Sequence, residues 1–124
     1  MVVDLSPVFK SYLKRYPKQD QLKIAAFIQH VQKYGLIELE GRNKSSDNVP
    51  KDDPAWLNKV KQAQKYNLWH YHIGIPYYVG VHGDKTSEYV LHYMLDKVQD
   101  SVTIVYMSPH PPFHLPEECY LKLH

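Results

Sequence analysis

The sequence predicts an α+β fold: an N-terminal helical hairpin packed on a small, mainly antiparallel twisted sheet, with a short helix inserted between them. Three observations carry this expectation. Apolar residues recur every three or four positions up to residue 35, the stretch that follows is polar and rich in turn residues, and the chain beyond residue 67 is β-rich. Strands grouped after helices argue for α+β rather than for alternating α/β units. A chain of 124 residues that is 44% hydrophobic can bury one core, so one domain over 1–124 is expected, with an insertion at about 36–66.

Val2-Val3-Asp4-Leu5 reads as a first strand. Ser6-Pro7 is a helix entry, with serine as N-cap and proline in the first turn. Phe9, Tyr12, Leu13 and Tyr16 then share one helical face, and Pro17 ends the helix. A second helix is expected from Lys18 to Tyr34, with Ile24, Phe27, Ile28 and Val31 on its apolar face and Gly35 as its stop. The short link predicts an antiparallel hairpin.

Residues 36–53 read as a loop. Asp53-Pro54 repeats the cap-plus-proline entry and predicts a short helix with Leu57, Val60 and Gln64 on one face. Leu68–Ile73 alternates as a strand: Trp69, Tyr71 and Ile73 on one side, Leu68, His70 and His72 on the other. Tyr77–Val81 is a further strand candidate. Glu88–Leu95 and Val102–Met107 read as a hairpin turning through Gln99-Asp100-Ser101.

Charge is unevenly spread. Residues 1–34 hold six Lys/Arg against two acids, residues 67–124 hold three against six, and seven of the eight histidines lie in that last part. A basic N-terminal third hints at an anionic partner. With a single cysteine, Cys119, no internal disulfide or CxxC zinc site is expected. No window approaches the ~18 apolar residues of a membrane span. The first residues lack the basic start and apolar run of a secretory signal, so a cytoplasmic protein with no membrane partner is expected.

Four segments resemble the RelE/ParE superfamily of bacterial toxins from type II toxin–antitoxin systems. They are Ser6-Pro7-Val8-Phe9-Lys10 with Tyr12-Leu13-Lys14 after the first strand, the helix with Ile24, Phe27 and Ile28 ending near Gly35 and followed by Leu39-Glu40-Gly41-Arg42, the Leu68-Trp69-His70-Tyr71-His72-Ile73 strand, and the hairpin from Glu88-Tyr89-Val90-Leu91-His92-Tyr93 to Ser108-Pro109-His110. The likeness spans about residues 2–114. Gly41-Arg42-Asn43, the Trp69-His70-Tyr71-His72-Ile73 strand and Ser108-Pro109-His110 look most like its YafO-type branch. The resemblance implies a RelE-like fold and an mRNA endoribonuclease, or mRNA interferase, acting at the ribosome to inhibit translation. It also implies a cognate antitoxin as partner. The ParE type instead poisons DNA gyrase without catalysis. This chain departs from the family pattern because no arginine lies beyond residue 42. Either histidines replace the family's cations, or the chemistry differs.

Cleavage by 2′-hydroxyl attack needs a base, an acid and a cation near the phosphorane, and no metal or cofactor. Imidazole serves either proton role near neutrality. His110, His82, His92, Lys85 and Tyr89 are therefore the candidate catalytic residues, with His114 and Tyr120 in the tail as further possibilities. Imidazoles in both roles predict a bell-shaped pH profile centred near neutrality. Lys10, Lys14, Arg42, Lys44, Lys59, Lys61 and Lys65 are candidate RNA contacts, because lysine and arginine neutralise phosphate. A rival reading is a metal-dependent enzyme, since His70 and His72 share a strand face and His82, His92 or His110 is available as a third ligand.

Overall fold

The computed structural model describes residues 1–110 and 115–121. Its elements are β1 (Val2–Leu5), α1 (Pro7–Leu13), α2 (Lys18–Tyr34), β2 (Asn43–Ser45), α3 (Trp56–Lys65), β3 (Leu68–His72), β4 (Tyr89–Asp96), β5 (Ser101–Pro109) and α4 (Glu118–Leu121). The fold is α+β, around a five-stranded sheet of order β1-β5-β4-β3-β2. β1 pairs with β5 in parallel, and every other neighbour is antiparallel.

Local chemistry explains most boundaries. The Ser6 hydroxyl accepts the Phe9 N–H at 3.1 Å and starts α1, with Pro7 in the first turn. Gly35 ends α2 at φ 76°, a conformation that suits glycine. The β4–β5 turn is closed by the Asp96 carboxylate, which accepts from the N–H groups of Val98 and Gln99.

Four expectations need correction. The N-terminal helical hairpin is not seen: the chain opens with a strand, and α1 has only seven residues. α1 lies against β5 while α2 lies against β1, so both helices serve the sheet. Part of the expected 36–53 loop is strand β2, whose polar sequence hid it; backbone pairing to β3 suffices there. Asp53 is not the N-cap of α3, which begins after Ala55; the Asp53 carboxylate instead accepts the Ala55 N–H one turn earlier. Tyr77–Val81 is not a strand, having only one bridge, from Val79 to Thr86.

The sheet has two unlike faces. The helix-covered face carries the main core, in which Phe9, Ile24, Phe27 and Val31 meet Tyr71, Ile73, Leu91, Tyr93, Leu95, Val102 and Ile104. Each such side chain contributes about 1.5–3 kcal/mol on full burial. A smaller cluster on the other face joins Ala63 of α3 and Leu121 of α4 to Leu68 and Val105. A register shift at His92/Tyr93 leaves Val105 without a β4 partner, between Ile104 and Tyr106. α3 and α4 therefore cover one part of the second face. The histidines occupy the rest.

Candidate active site

Side chains alternate across a strand, so with Trp69, Tyr71 and Ile73 packed under the helices, His70 and His72 take the opposite face, as their spacing predicts. His92 stands opposite His70 in the strand register, and Tyr106 stands opposite His92. Lys44 stands opposite His70 on its other side. The row Lys44, His70, His92, Tyr106 thus crosses four strands. His110 follows β5 and is fixed by its backbone N–H, which donates to the Glu88 carbonyl at 2.6 Å.

The rings gather closely. Centroids are 6.3 Å apart for His70 and His72, 6.4 Å for His70 and His92, 5.8 Å for His70 and His110, and 5.4 Å for His72 and His110. Serines orient three of them. Ser46 Oγ lies 2.9 Å from His70 Nδ1, and Ser108 Oγ lies 2.7 Å from His92 Nε2. His72 Nδ1 meets the Ser87 backbone, 3.0 Å from its carbonyl oxygen and 3.1 Å from its nitrogen. That commitment leaves Nε2 as the His72 atom for other chemistry.

Burial sets the proton affinities. It is the largest cause at every ring, because a low-dielectric setting disfavours the cation. His70 is pushed down to about 4, with His110, His72 and Lys44 adding repulsion. His92, with no exposed surface, falls to about 3. His72 is lowered by burial, against the opposing effect of the Ser87 carbonyl that accepts from its Nδ1. His110 is lowered by burial and then by Arg42.

Arg42 reaches this cluster by a close backbone approach. His72 donates its N–H to the Arg42 carbonyl at 2.9 Å. The preceding residue must be glycine, because a Cβ on Gly41 would collide with the His72 carbonyl oxygen and the Tyr78 ring. A hydroxyl relay reinforces the junction: Gly41 N–H donates to Tyr71, Tyr71 to Tyr78, and Tyr78 to the His72 carbonyl. The Arg42 guanidinium donates through Nε and Nη2 to the Asp84 carboxylate, at 2.7 and 3.0 Å. Arg42, His72 and His110 line one cleft of about 640 Å³, together with Tyr77, Val79, Thr86 and Glu88.

The sequence-predicted residues divide accordingly. His110 and Arg42 line the cleft. His92 joins the cluster but is wholly buried, so it supports the other rings and does not touch a ligand. His82 lines a separate cleft with Lys23, Phe27 and Tyr78. Lys85 is held by Glu40 at 2.7 Å. Tyr89 packs against the main core on the other sheet face. Tyr120 packs at a tilt against Tyr106 and contacts the Tyr12 hydroxyl, away from the cleft, and His114 lies outside the described residues. Among the lysines, Lys44 adjoins the histidine row and the exposed Lys10, Lys14 and Lys61 lie on or beside α1 and α3. Lys59 pairs with Asp53 and Lys65 with Glu118.

His70 and His72 were legible as a strand face, but their convergence with His110 depends on the β4–β5 register. Tyr77 and Glu88 gave no sequence signal as site residues, because they reach the cleft from loops. Among the described residues no three or more His, Cys, Asp or Glu side chains are placed to hold a metal ion. Compared with known families, with curated proteins and with solved structures, the chain matches none.

Proposed function

We propose that the protein is an endoribonuclease toxin that cleaves translated mRNA by acid–base chemistry without a metal. The observation that carries this reading is the His72–His110 pair, 5.4 Å between centroids, lining one cleft with Arg42. In this reading His72 Nε2 takes the proton of the attacking 2′-hydroxyl. His110 protonates the leaving 5′-oxygen, and Arg42 balances the charge that builds on the phosphate. The Ser87 backbone on His72 Nδ1 and the Glu88 carbonyl on the His110 N–H hold the pair in advance of binding. Lys44, Lys10, Lys14 and Lys61 supply phosphate contacts without base preference. The resemblance to RelE/ParE toxins supports the ribosome as the setting. It also supports an antitoxin that neutralises the protein through a segment that folds on binding.

The test is inducible expression with primer-extension mapping of a translated reporter mRNA and of the same mRNA with its start codon destroyed. Cuts are expected in the translated transcript only. Loss of one proton-transfer group costs about 10²–10⁴-fold, so His110→Ala should abolish detectable cutting. Growth arrest with both transcripts intact would sink the nuclease reading and favour a gyrase-type target.

A further inference from the structure

We propose that the cleft beside His72 and His110 carries a guanine-selective nucleotide subsite, with Tyr77 as the stacking platform and Glu88 as the reader of the base edge. The proposal rests on the ribonuclease reading and names which nucleotide that site accepts.

The cleft is polarised. Arg42 supplies a cation, and Asp84 engages only its Nε and Nη2, so Nη1 is not taken up by that pair. Glu88, an exposed acidic residue, lines the same cleft. A carboxylate repels phosphate and accepts hydrogen bonds, so it suits the donor edge of a base better than the backbone. The base must then lie toward Glu88 and the phosphate toward Arg42.

The walls suit a flat ring. Tyr77 is 68% exposed although it lines the cleft, and Val79 beside it is 60% exposed. An aromatic face open to solvent stacks on bases, which is how proteins hold unpaired RNA. The platform is also fixed. Lys23 of α2 donates to the carbonyls of Gly74 and Pro76 at 2.6 and 2.7 Å, pinning the segment that presents Tyr77. The Ser87 hydroxyl accepts the Gly74 N–H at 3.0 Å and donates to the Tyr89 carbonyl at 2.8 Å, tying that segment to the one bearing Glu88. The His110 N–H on the Glu88 carbonyl and the Ser87 backbone on His72 Nδ1 fix the Glu88 segment beside the histidines.

Base chemistry then selects one nucleotide. The Watson–Crick edge of guanine presents two adjacent donors, N1–H and N2–H, which a carboxylate accepts together. Adenine and cytosine place a ring-nitrogen lone pair beside their amino group, which repels the second oxygen. Uracil offers one N–H between two carbonyls. A good bidentate pair discriminates by about 5- to 150-fold.

Titration calorimetry of the full chain with the 3′-monophosphates of guanosine, adenosine, cytidine and uridine tests this without cleavage. The guanosine nucleotide should bind at least about tenfold tighter than the other three. Glu88→Ala should level the four affinities, Tyr77→Ala should weaken all of them, and Tyr77→Phe should leave them near wild type. Both side chains are exposed, so these variants keep the fold. Equal affinities in the wild type, an unchanged guanosine preference in Glu88→Ala, or no binding of any of the four would overturn the subsite. The two readings fail separately. Selective guanosine binding with uncut reporter mRNA removes the nuclease and keeps the subsite. Cut mRNA with levelled affinities in the wild type does the reverse.

Discussion

His70 on β3 and His92 on β4 stand opposite each other in register, their ring centroids 6.4 Å apart, and both are neutral at pH 7. Two imidazolium ions at that spacing would repel, and burial would cost each of them its hydration. The sheet therefore holds this pair in the uncharged form.

Acid should unfold the protein for that reason. The ordinary histidine value near 6.5 applies to the unfolded chain, whereas the folded values are about 4 for His70 and about 3 for His92. Below about 6.5 the unfolded chain takes up protons that the folded chain refuses, so stability falls as pH falls through this window. Each ring contributes on the order of 3 kcal/mol across its full window, against a typical total of about 5–15 kcal/mol. Urea denaturation at about pH 7 and about pH 4.5 should show a loss of at least about 3 kcal/mol. His92→Gln, which retains a partner for Ser108 but does not titrate, should flatten the slope. Equal stability at the two pH values would refute the argument.

Under the proposed ribonuclease reading, the same burial moves the pH profile expected from the sequence. A bell centred near neutrality follows from unperturbed imidazoles, but His72 and His110 are both lowered. In the proposed ribonuclease reading, one ring must be neutral and the other protonated. The kcat/KM profile should therefore peak on the acid side of about 6.5 and fall by pH 8. Single-turnover cleavage across pH checks this. A maximum above 7, or a flat profile, would move the chemistry to lysines and positioning.

What the sequence showed and hid has a physical pattern. Alternation in Leu68–Ile73 placed the imidazoles on the correct face, because that face is set by the burial of Trp69, Tyr71 and Ile73. The same reasoning could not place His82, Lys85 or Tyr89. Those residues enter the meander at loop and strand ends, where the path depends on distant ties such as Lys23 on Gly74 and Pro76. Nor could it find β2, since an edge strand of Asn43-Lys44-Ser45 has no apolar period to read. The α1–α2 hairpin failed because helical periodicity reports each helix's apolar face and not what covers it.

Gly41 provides the last test, because it allows Arg42 and His72 to meet. Its place is taken up by backbone proximity, not by an unusual turn. A methyl group there would strike the His72 carbonyl oxygen, which belongs to β3, and the Tyr78 ring, which is held by its bond to Tyr71. Neither neighbour is the loose end of a flexible chain. Gly41→Ala should therefore push residues 41–42 off β3, break the His72 N–H bond to the Arg42 carbonyl, and cost about 1–3 kcal/mol through overpacking. In the active-site reading it should also reduce cleavage by at least about tenfold, since small displacements of a positioned group carry large rate costs. Arg42→Ala supplies the comparison. It should lose a similar share of cleavage and little stability, because the pair with Asp84 lies at the surface and is screened by solvent. A Gly41→Ala protein with wild-type melting and wild-type cleavage would show that the close approach has no role in either.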